Sequence, residues 1–153
     1  MKKLAILCFA LCCVMPLMAQ QNSIDKLFAQ YSGKQGFKTV VLGPKLIDQS
    51  VANKEKTSDI AKKINMIRIL SSEVESPELI AMVQAVADSS YEFISTTAEN
   101  GEVTSFYINE VKIQNKSFLM IAHRSGKEII MEVRGDFSVT DITQLSKFGV
   151  KQE

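Results

Sequence analysis

The sequence predicts an α+β domain: one mainly antiparallel sheet that ends in a C-terminal meander, with helices packed on one face. Between Tyr91 and Gly135 the chain holds four β-rich segments separated by short turns, which is the pattern of strands joined by hairpins. Before Tyr91, helical patterns alternate with two further β-rich segments. A length of 153 residues, without an internal repeat or a linker, fits a single domain.

The first half is predicted to contain four helices and two strands. Ile24, Leu27 and Phe28 fall at helical spacing, so an amphipathic helix is expected there. Ser76 and Pro77 give a later helix a capping hydroxyl and a proline in its first turn. The expected helices cover 22–32, the segment from Pro44, a short stretch from about Thr57, and 76–88; the expected strands cover 37–43 and 64–70.

The second half is predicted to form the meander and a closing helix. Asn100-Gly101 between two β-rich runs is a strong signal for a two-residue hairpin. Further turns are expected over 114–116 and 125–127. The closing helix is predicted to start at Ser138 or Thr140 and to carry Ile142, Leu145 and Phe148.

The last predicted strand carries charged residues that alternate with apolar ones. Glu128 and Glu132 are separated by an even number of residues and share one face, which Arg134 joins. Glu110 or Lys112 on a neighbouring strand would extend this charged surface. We expect a solvated sheet face here, with a binding surface as the alternative.

The N-terminus has the pattern of a secretory signal peptide. Lys2 and Lys3 precede an uncharged apolar run from Leu4 to Met18, and Ala19 offers a small residue for cleavage. A membrane-spanning helix needs about 20 apolar residues, so the run is too short to be one. We therefore expect residues 1–19 to be removed and 20–153 to form the mature domain, exported to the periplasm or associated with the outer membrane.

The three cysteines lie within this predicted leader. Cys12 follows a leucine and Cys13 follows another cysteine, whereas a lipid-accepting cysteine normally follows a small residue. A lipid anchor is thus the less favoured alternative. Cleavage after Ala19 would leave a mature chain without Cys8, Cys12 or Cys13, which excludes disulfides and thiol chemistry from it.

The charge balance argues against nucleic-acid binding. Loss of Lys2 and Lys3 reduces the 18 basic residues to 16, against 17 acidic residues, so the mature chain carries a formal charge of −1. Affinity for nucleic acid comes largely from basic residues that contact phosphates. No nucleic-acid partner is expected.

Three segments resemble a known family. The opening SIDKLFAQYSGKQGFKTVVLGPKLI, the mid-chain INMIRILSSE and the closing EIIMEVRGDFSVTDITQLSKF are similar to the domain-of-unknown-function family numbered 4252, which comprises small exported proteins found mainly in Bacteroidetes. The resemblance covers almost the whole mature chain. It implies export and an α+β fold, and it hints at a regulatory or envelope role without implying an activity.

His123 is the only histidine and the first candidate for catalysis. It lies near the end of a predicted strand, close to Arg124 and Ser125. A single histidine rules out a histidine metal cluster, and no G-x-S-x-G motif accompanies it. We expect a structural or surface role.

Asp136 and Asp141 are the other candidates for catalysis. Acid–base catalysis by two carboxylates needs them to face one cleft. Local roles are simpler: Asp136 suits a turn, and Asp141 suits the first turn of a helix, where negative charge is favoured.

From these patterns we predict an exported protein of unknown molecular function without an enzymatic activity, which has a binding or an envelope-regulatory role; its partner would be an envelope protein or a small ligand. No catalytic, cofactor-binding or metal-binding residue is assigned, and no cofactor is expected. The alternatives are a hydrolase that uses carboxylates or His123 with Ser125, and a small-ligand carrier with a pocket between helices and sheet.

Overall fold

The computed structural model describes residues 23–51, 58–110 and 116–142. These residues form helices and one sheet. The helices are α1 (Ser23–Tyr31), α2 (Pro44–Val51), α3 (Ser58–Ala61) and α4 (Pro77–Ser90), and the strands are β1 (Phe37–Leu42), β2 (Ile64–Ser72), β3 (Glu92–Glu99), β4 (Glu102–Asn109), β5 (Lys116–Arg124) and β6 (Lys127–Gly135). A closing helix, α5, begins at residue 139, and its described part ends at 142.

The six strands form one open sheet in the order β1-β2-β6-β5-β4-β3. Every neighbouring pair is antiparallel. The α+β class with a C-terminal meander is therefore confirmed. β6 lies between β2 and β5, so it joins the two early strands to the meander, while β1 and β3 form the edges.

Two of the three predicted hairpin turns lie within the described residues, and both are confirmed. Asn100 and Gly101 have φ angles of 51° and 79°, and Ser125 and Gly126 have φ angles of 49° and 74°. Two consecutive residues with positive φ form a type I′ turn, whose twist matches that of the flanking strands. These two turns fix the β3–β4 and β5–β6 registers.

Helix α4 starts at the predicted signal and ends slightly later than predicted. The Ser76 hydroxyl accepts a hydrogen bond from the Leu79 amide at 3.4 Å, and Pro77 occupies the first turn. The Tyr91 amide donates to the Ala87 carbonyl at 3.0 Å, which closes the last turn. This hydrogen bond holds Ser89 and Ser90 in the helix, which therefore ends two residues after Asp88.

The helices lie against both faces of the sheet, whereas the sequence suggested one. Leu119 and Phe118 are neighbours on β5 and point to opposite faces, and each belongs to a separate apolar core. The Leu119 core contains residues of α1 and α4, and we call its face the α1/α4 face. The Phe118 core contains Ile47, Ile60 and Ile142 from α2, α3 and α5, and we call its face the α2/α3 face.

The physical reason for two helical layers lies in the central strands. On β6, Ile130 belongs to the first core and the next apolar side chains, Met131 and Val133, belong to the second. Strands that are apolar on both faces need cover on both sides. The short helices α2 and α3 supply part of the second layer.

Some predicted features lie outside the described residues. These are the leader over 1–19, residue 22 of the first predicted helix, Thr57, Lys112, residues 114 and 115 of the predicted turn, and the helix positions Leu145 and Phe148. Within the described ranges, no helix is long and apolar enough to cross a membrane.

Candidate functional site

The face of β6 that carries Glu128 and Glu132 is buried, so the prediction of a solvated charged face is wrong. Glu132 is 0% exposed and Glu128 is 2% exposed. Helices α1 and α4 cover this face. Ile130, which lies between the two glutamates on the strand, packs in the same core as these helices. Alternation along the strand correctly placed the carboxylates on one face, but it does not reveal which face the helices cover.

Around Glu132, four charged side chains form a closed ring, which we call the ion ring. Arg68 donates from Nε to Glu132 Oε2 and from Nη2 to Asp25 Oδ1. Arg134 donates from Nε to Glu132 Oε1 at 2.7 Å and from Nη2 to the same Asp25 oxygen at 2.6 Å. Each guanidinium thus bridges both carboxylates, and the formal charges of the four groups cancel.

Three elements position the ion ring. Asp25 lies in the first turn of α1, Arg68 lies on β2, and Glu132 and Arg134 lie on β6. Arg68 and Glu132 are paired in the β2–β6 register, which brings their side chains together. The Arg68 guanidinium also lies 4.3 Å from the centre of the Phe28 ring, a cation–π contact with α1. The ring therefore fastens α1 to the centre of the sheet.

A chain of hydroxyl groups extends the ion ring toward β3. Ser117 donates to Glu132 Oε1 at 2.8 Å, so the Tyr91 hydroxyl, 2.8 Å from the Ser117 oxygen, is the donor in that contact. Burial raises the pKa of Tyr91 to about 12, because a phenolate would lose its hydration there. Tyr91 is therefore a hydrogen-bond donor throughout the physiological range.

The ionised form of Asp25 is stabilised within the ring. Burial alone would raise the pKa of the Asp25 carboxyl, but hydrogen bonds and charge from Arg134 and Arg68 outweigh burial and hold the pKa below its ordinary value. Because the carboxylate oxygens accept from guanidinium groups, the arrangement is suited to structure rather than to proton transfer. Sequence reasoning missed Asp25 and Arg68; an arginine inside the apolar run INMIRIL is the signal that could have pointed to a buried ion pair.

His123 forms a second pair at the other end of β6. Its Nδ1 lies 2.5 Å from Glu128 Oε1, across the β5–β6 register. The Glu128 amide in turn donates to the Ser72 hydroxyl at 2.9 Å. The hydrogen bond with Glu128, and then its charge, raise the pKa of the His123 imidazole. Among the described residues, only Glu128 is hydrogen-bonded to the imidazole. Ser125, the predicted partner of His123 in catalysis, lies in the β5–β6 turn with a φ angle of 49°.

The two aspartate candidates have separate local roles. Asp141 Oδ2 accepts from the Ser138 amide at 2.8 Å, and the Asp141 amide donates back to the Ser138 hydroxyl at 3.2 Å, as in a capping box. The Ser138 hydrogen bond, followed by the one from Lys63, lowers the pKa of Asp141. Asp136 is exposed and is held through its backbone amide, which donates to the Lys63 carbonyl at 2.8 Å. The structure thus supports no shared role for Asp136 and Asp141.

A further candidate is the outer edge strand β3. Seven of its eight residues are exposed, and Phe93 has 57% of its surface in contact with solvent. Val103, next to β3 on β4, is 42% exposed. Within the described ranges no strand pairs with the outer side of β3. The part of the chain that the structure describes also contains no group of three His, Cys, Asp or Glu side chains placed to hold a metal ion.

These features define a small α+β protein with one open antiparallel sheet, internally paired charges and an exposed sheet edge. Residues 31–145 match the family model described as Domain of unknown function (DUF4252). The match covers most of the chain, so the chain belongs to this family. Neither a curated protein nor a solved structure gives a match.

Proposed function

We propose that this DUF4252 protein is exported and acts in the cell envelope by binding another protein. The observation that carries the proposal is the β3 edge, where Phe93 and Val103 are exposed beside a strand without an outer neighbour in the described ranges. Exposed apolar side chains next to unpaired strand backbone are typical of a surface that binds a protein segment.

The arrangement of the ionisable groups supports a role in binding rather than catalysis. Asp141 is paired with Ser138 and Lys63, apart from Asp136. The buried Glu132 and the partly buried Arg68 belong to the ion ring, where their opposite charges are paired. These charged groups stabilise the fold, so the exposed β3 edge is the surface that we propose for binding.

Export rests on the sequence pattern of residues 1–19. The charged start and the short apolar run support cleavage after Ala19, and the cysteine context disfavours a lipid on Cys12 or Cys13. The mature protein would then begin at Gln20 in the periplasm or at the outer membrane.

Fractionation with intact-mass measurement tests both parts of the proposal. We expect the native protein in the envelope fraction, with the mass of 20–153, and a protein that co-purifies with it reproducibly under mild crosslinking. A cytoplasmic protein of full-length mass would contradict export, and a lipid-modified mass would move the start to a cysteine. If no protein co-purifies with the native protein in repeated experiments, the binding function is contradicted.

The paired His123 and Glu128 favour a hydrolase as the second candidate. A carboxylate that holds Nδ1 orients an imidazole as a general base, as in a catalytic triad. If this function were correct, His123→Ala would abolish ester or peptide hydrolysis by the purified protein. Hydrolysis that survives both His123→Ala and Asp136→Ala would exclude a mechanism that uses these residues.

A further inference from the structure

The outer side of β3 presents backbone groups in a known pattern. Glu99 and Glu102 flank the two-residue type I′ turn, so they form a hydrogen-bonded pair. Hydrogen-bonded and non-hydrogen-bonded pairs alternate along an antiparallel ladder, which makes Thr97 a bonded position and Thr96 and Ala98 non-bonded ones. The amide and carbonyl groups of Thr96 and Ala98 therefore point away from β4, toward the position of an added strand.

The carboxylates of β3 lie together on one face. The register shifts between Phe93 and Ser95, so Ile94 is an extra residue relative to β4. Glu92 is paired with Ile108 and Glu99 with Glu102, and these partners on β4 are an even number of residues apart. Both glutamates thus project on the α2/α3 face, one at each end of the strand.

The edge is acidic, and apart from the bulge near its start and its two terminal glutamates it lacks the devices that usually prevent strand addition. β3 has the sequence EFISTTAE, with no lysine, arginine or proline. Between Glu92 and Glu99 its residues are uncharged, and Phe93 is exposed on the α1/α4 face. The opposite edge differs, since β1 is shorter and carries Lys38 in an ion pair with Glu73 at 2.6 Å.

Charge also discriminates between two occupants of the edge. A second copy paired through β3 would bring another Glu92 and Glu99 to a seam without a basic residue, and like charges close together oppose pairing. An extended segment with a basic residue near each end would instead neutralise both carboxylates. On β4, the residues paired with Glu99 and Glu92 are Glu102 and Ile108, which are six positions apart. An added strand would therefore need its two basic residues about six positions apart. This even spacing places both on one face of the strand.

We propose that β3 binds an extended segment of a partner protein as an added strand, with an uncharged centre and lysine or arginine residues about six positions apart on one face. The backbone groups of Thr96 and Ala98 supply hydrogen bonds, and Glu92 and Glu99 supply the charge preference. This inference rests on the proposed binding function and names the class of partner.

Fluorescence anisotropy with two synthetic peptides tests the inference. Both peptides have seven residues and alternate threonine with valine at the centre; one has lysine at each end and the other has glutamate. With the purified mature protein we expect saturable binding of the lysine peptide, at least tenfold weaker binding of the glutamate peptide, and weaker binding of the lysine peptide at high salt. Equal binding of the two peptides, or no saturable binding of either, would overturn the proposal.

Two pairs of variants assign any binding to the edge. Ala98→Pro removes an outward amide without touching a hydrogen bond to β4, whereas Ala98→Thr keeps the amide. We expect at least tenfold weaker binding for Ala98→Pro and unchanged binding for Ala98→Thr, with both variants showing the circular dichroism of the parent. Glu92→Gln with Glu99→Gln should remove the preference for lysine, while Asp48→Asn with Glu78→Gln, at exposed positions on α2 and α4, should not.

The same variants separate this inference from the proposed function. If the parent protein captures an envelope partner and Ala98→Pro loses it, the edge inference is supported. If Ala98→Pro retains the partner, the edge inference fails and the binding function stands. A parent dimer that Ala98→Pro converts to a monomer would identify a second copy as the occupant and overturn the partner class.

Discussion

Glu132 is the residue whose removal should cost most among the charged groups. It is fully buried between Arg68 and Arg134, and it also accepts from Ser117. Glu132→Gln keeps the shape but leaves two guanidinium groups facing a neutral amide. Breaking a buried ion pair from one side costs about 3–5 kcal/mol, so we expect a loss of that order in the free energy of unfolding, measured with urea.

A glutamate at the surface provides the matched control. Glu102 lies 3.2 Å from Arg124, and the two side chains are 42% and 53% exposed. Exposed pairs contribute about 0–1 kcal/mol, so Glu102→Gln should change the free energy of unfolding little. Equal losses for Glu132→Gln and Glu102→Gln would contradict the structural role of the ion ring.

His123 should make stability depend on pH in a defined direction. The hydrogen bond and charge of Glu128 raise the imidazole pKa in the folded protein above its unfolded value. The stabilisation is therefore complete below the unfolded pKa, about 6.5, and is lost as pH rises through the folded pKa. We expect the midpoint of urea unfolding to fall as the pH rises through the folded pKa of His123. His123→Ala should remove this fall, whereas Asp141→Asn should keep it. A midpoint that rises over the same range would contradict the pairing.

At the scale of single residues, the sequence predicted local roles better than long-range ones. The cap at Asp141 follows from nearby residues, since Ser138 lies three positions away. The ion ring joins Asp25 to Arg134 across 109 positions, which no local pattern can show. The burial of Glu132 follows from the helices that cover it, and alternation along a strand does not identify the covered face.

At the scale of elements, Gly135 fixes the contact between the end of β6 and the start of β2. A Cβ at Gly135 would lie 2.0 Å from the Lys63 carbonyl oxygen and 2.9 Å from Ile64 Cα. Both neighbours are backbone, so relief requires the strands to separate. We expect Gly135→Ala to lower the free energy of unfolding by about 1–3 kcal/mol or more, measured by urea denaturation.

Gly43 is the control for that substitution. A Cβ there meets nothing within 4 Å. Gly43 is the N-cap of α2, since its carbonyl accepts from the Ile47 amide at 3.2 Å, and alanine is less favourable than glycine at an N-cap by about 1 kcal/mol or less. Gly43→Ala should therefore cost less than Gly135→Ala. Equal losses for the two variants would show that the close contact at Gly135 adds no cost.

Elements with strong local signals were predicted well. The hairpin turn at Asn100 and Gly101 and the start of α4 at Ser76 both depend on residues within a few positions. Element ends were less accurate: β2 continues to Ser72, because Phe37 of β1 pairs with that residue. Such an extension comes from a neighbouring strand and leaves no mark in the local sequence.

At the scale of the whole molecule, the sequence predicted the class and the meander but not the strand order. Hairpins link β3, β4, β5 and β6 through local connections. The β2–β6 pair instead brings together residues that are far apart in the sequence, such as Arg68 and Glu132. The division of helices between two faces follows from this order, because β2 and β6 become central strands that are apolar on both sides. The exposed edge at β3 is a consequence of the same order.

Site-specific photo-crosslinking in cells tests most directly the central claim that the protein works through the β3 edge. A photoreactive residue would replace Phe93 or Thr96 at this edge, and Leu46 or Val74 at exposed positions elsewhere. We predict a crosslinked envelope partner of defined mass from positions 93 and 96, and its loss when Ala98→Pro is added. Crosslinks of equal yield from positions 46 and 74, or a partner that Ala98→Pro retains, would contradict the account.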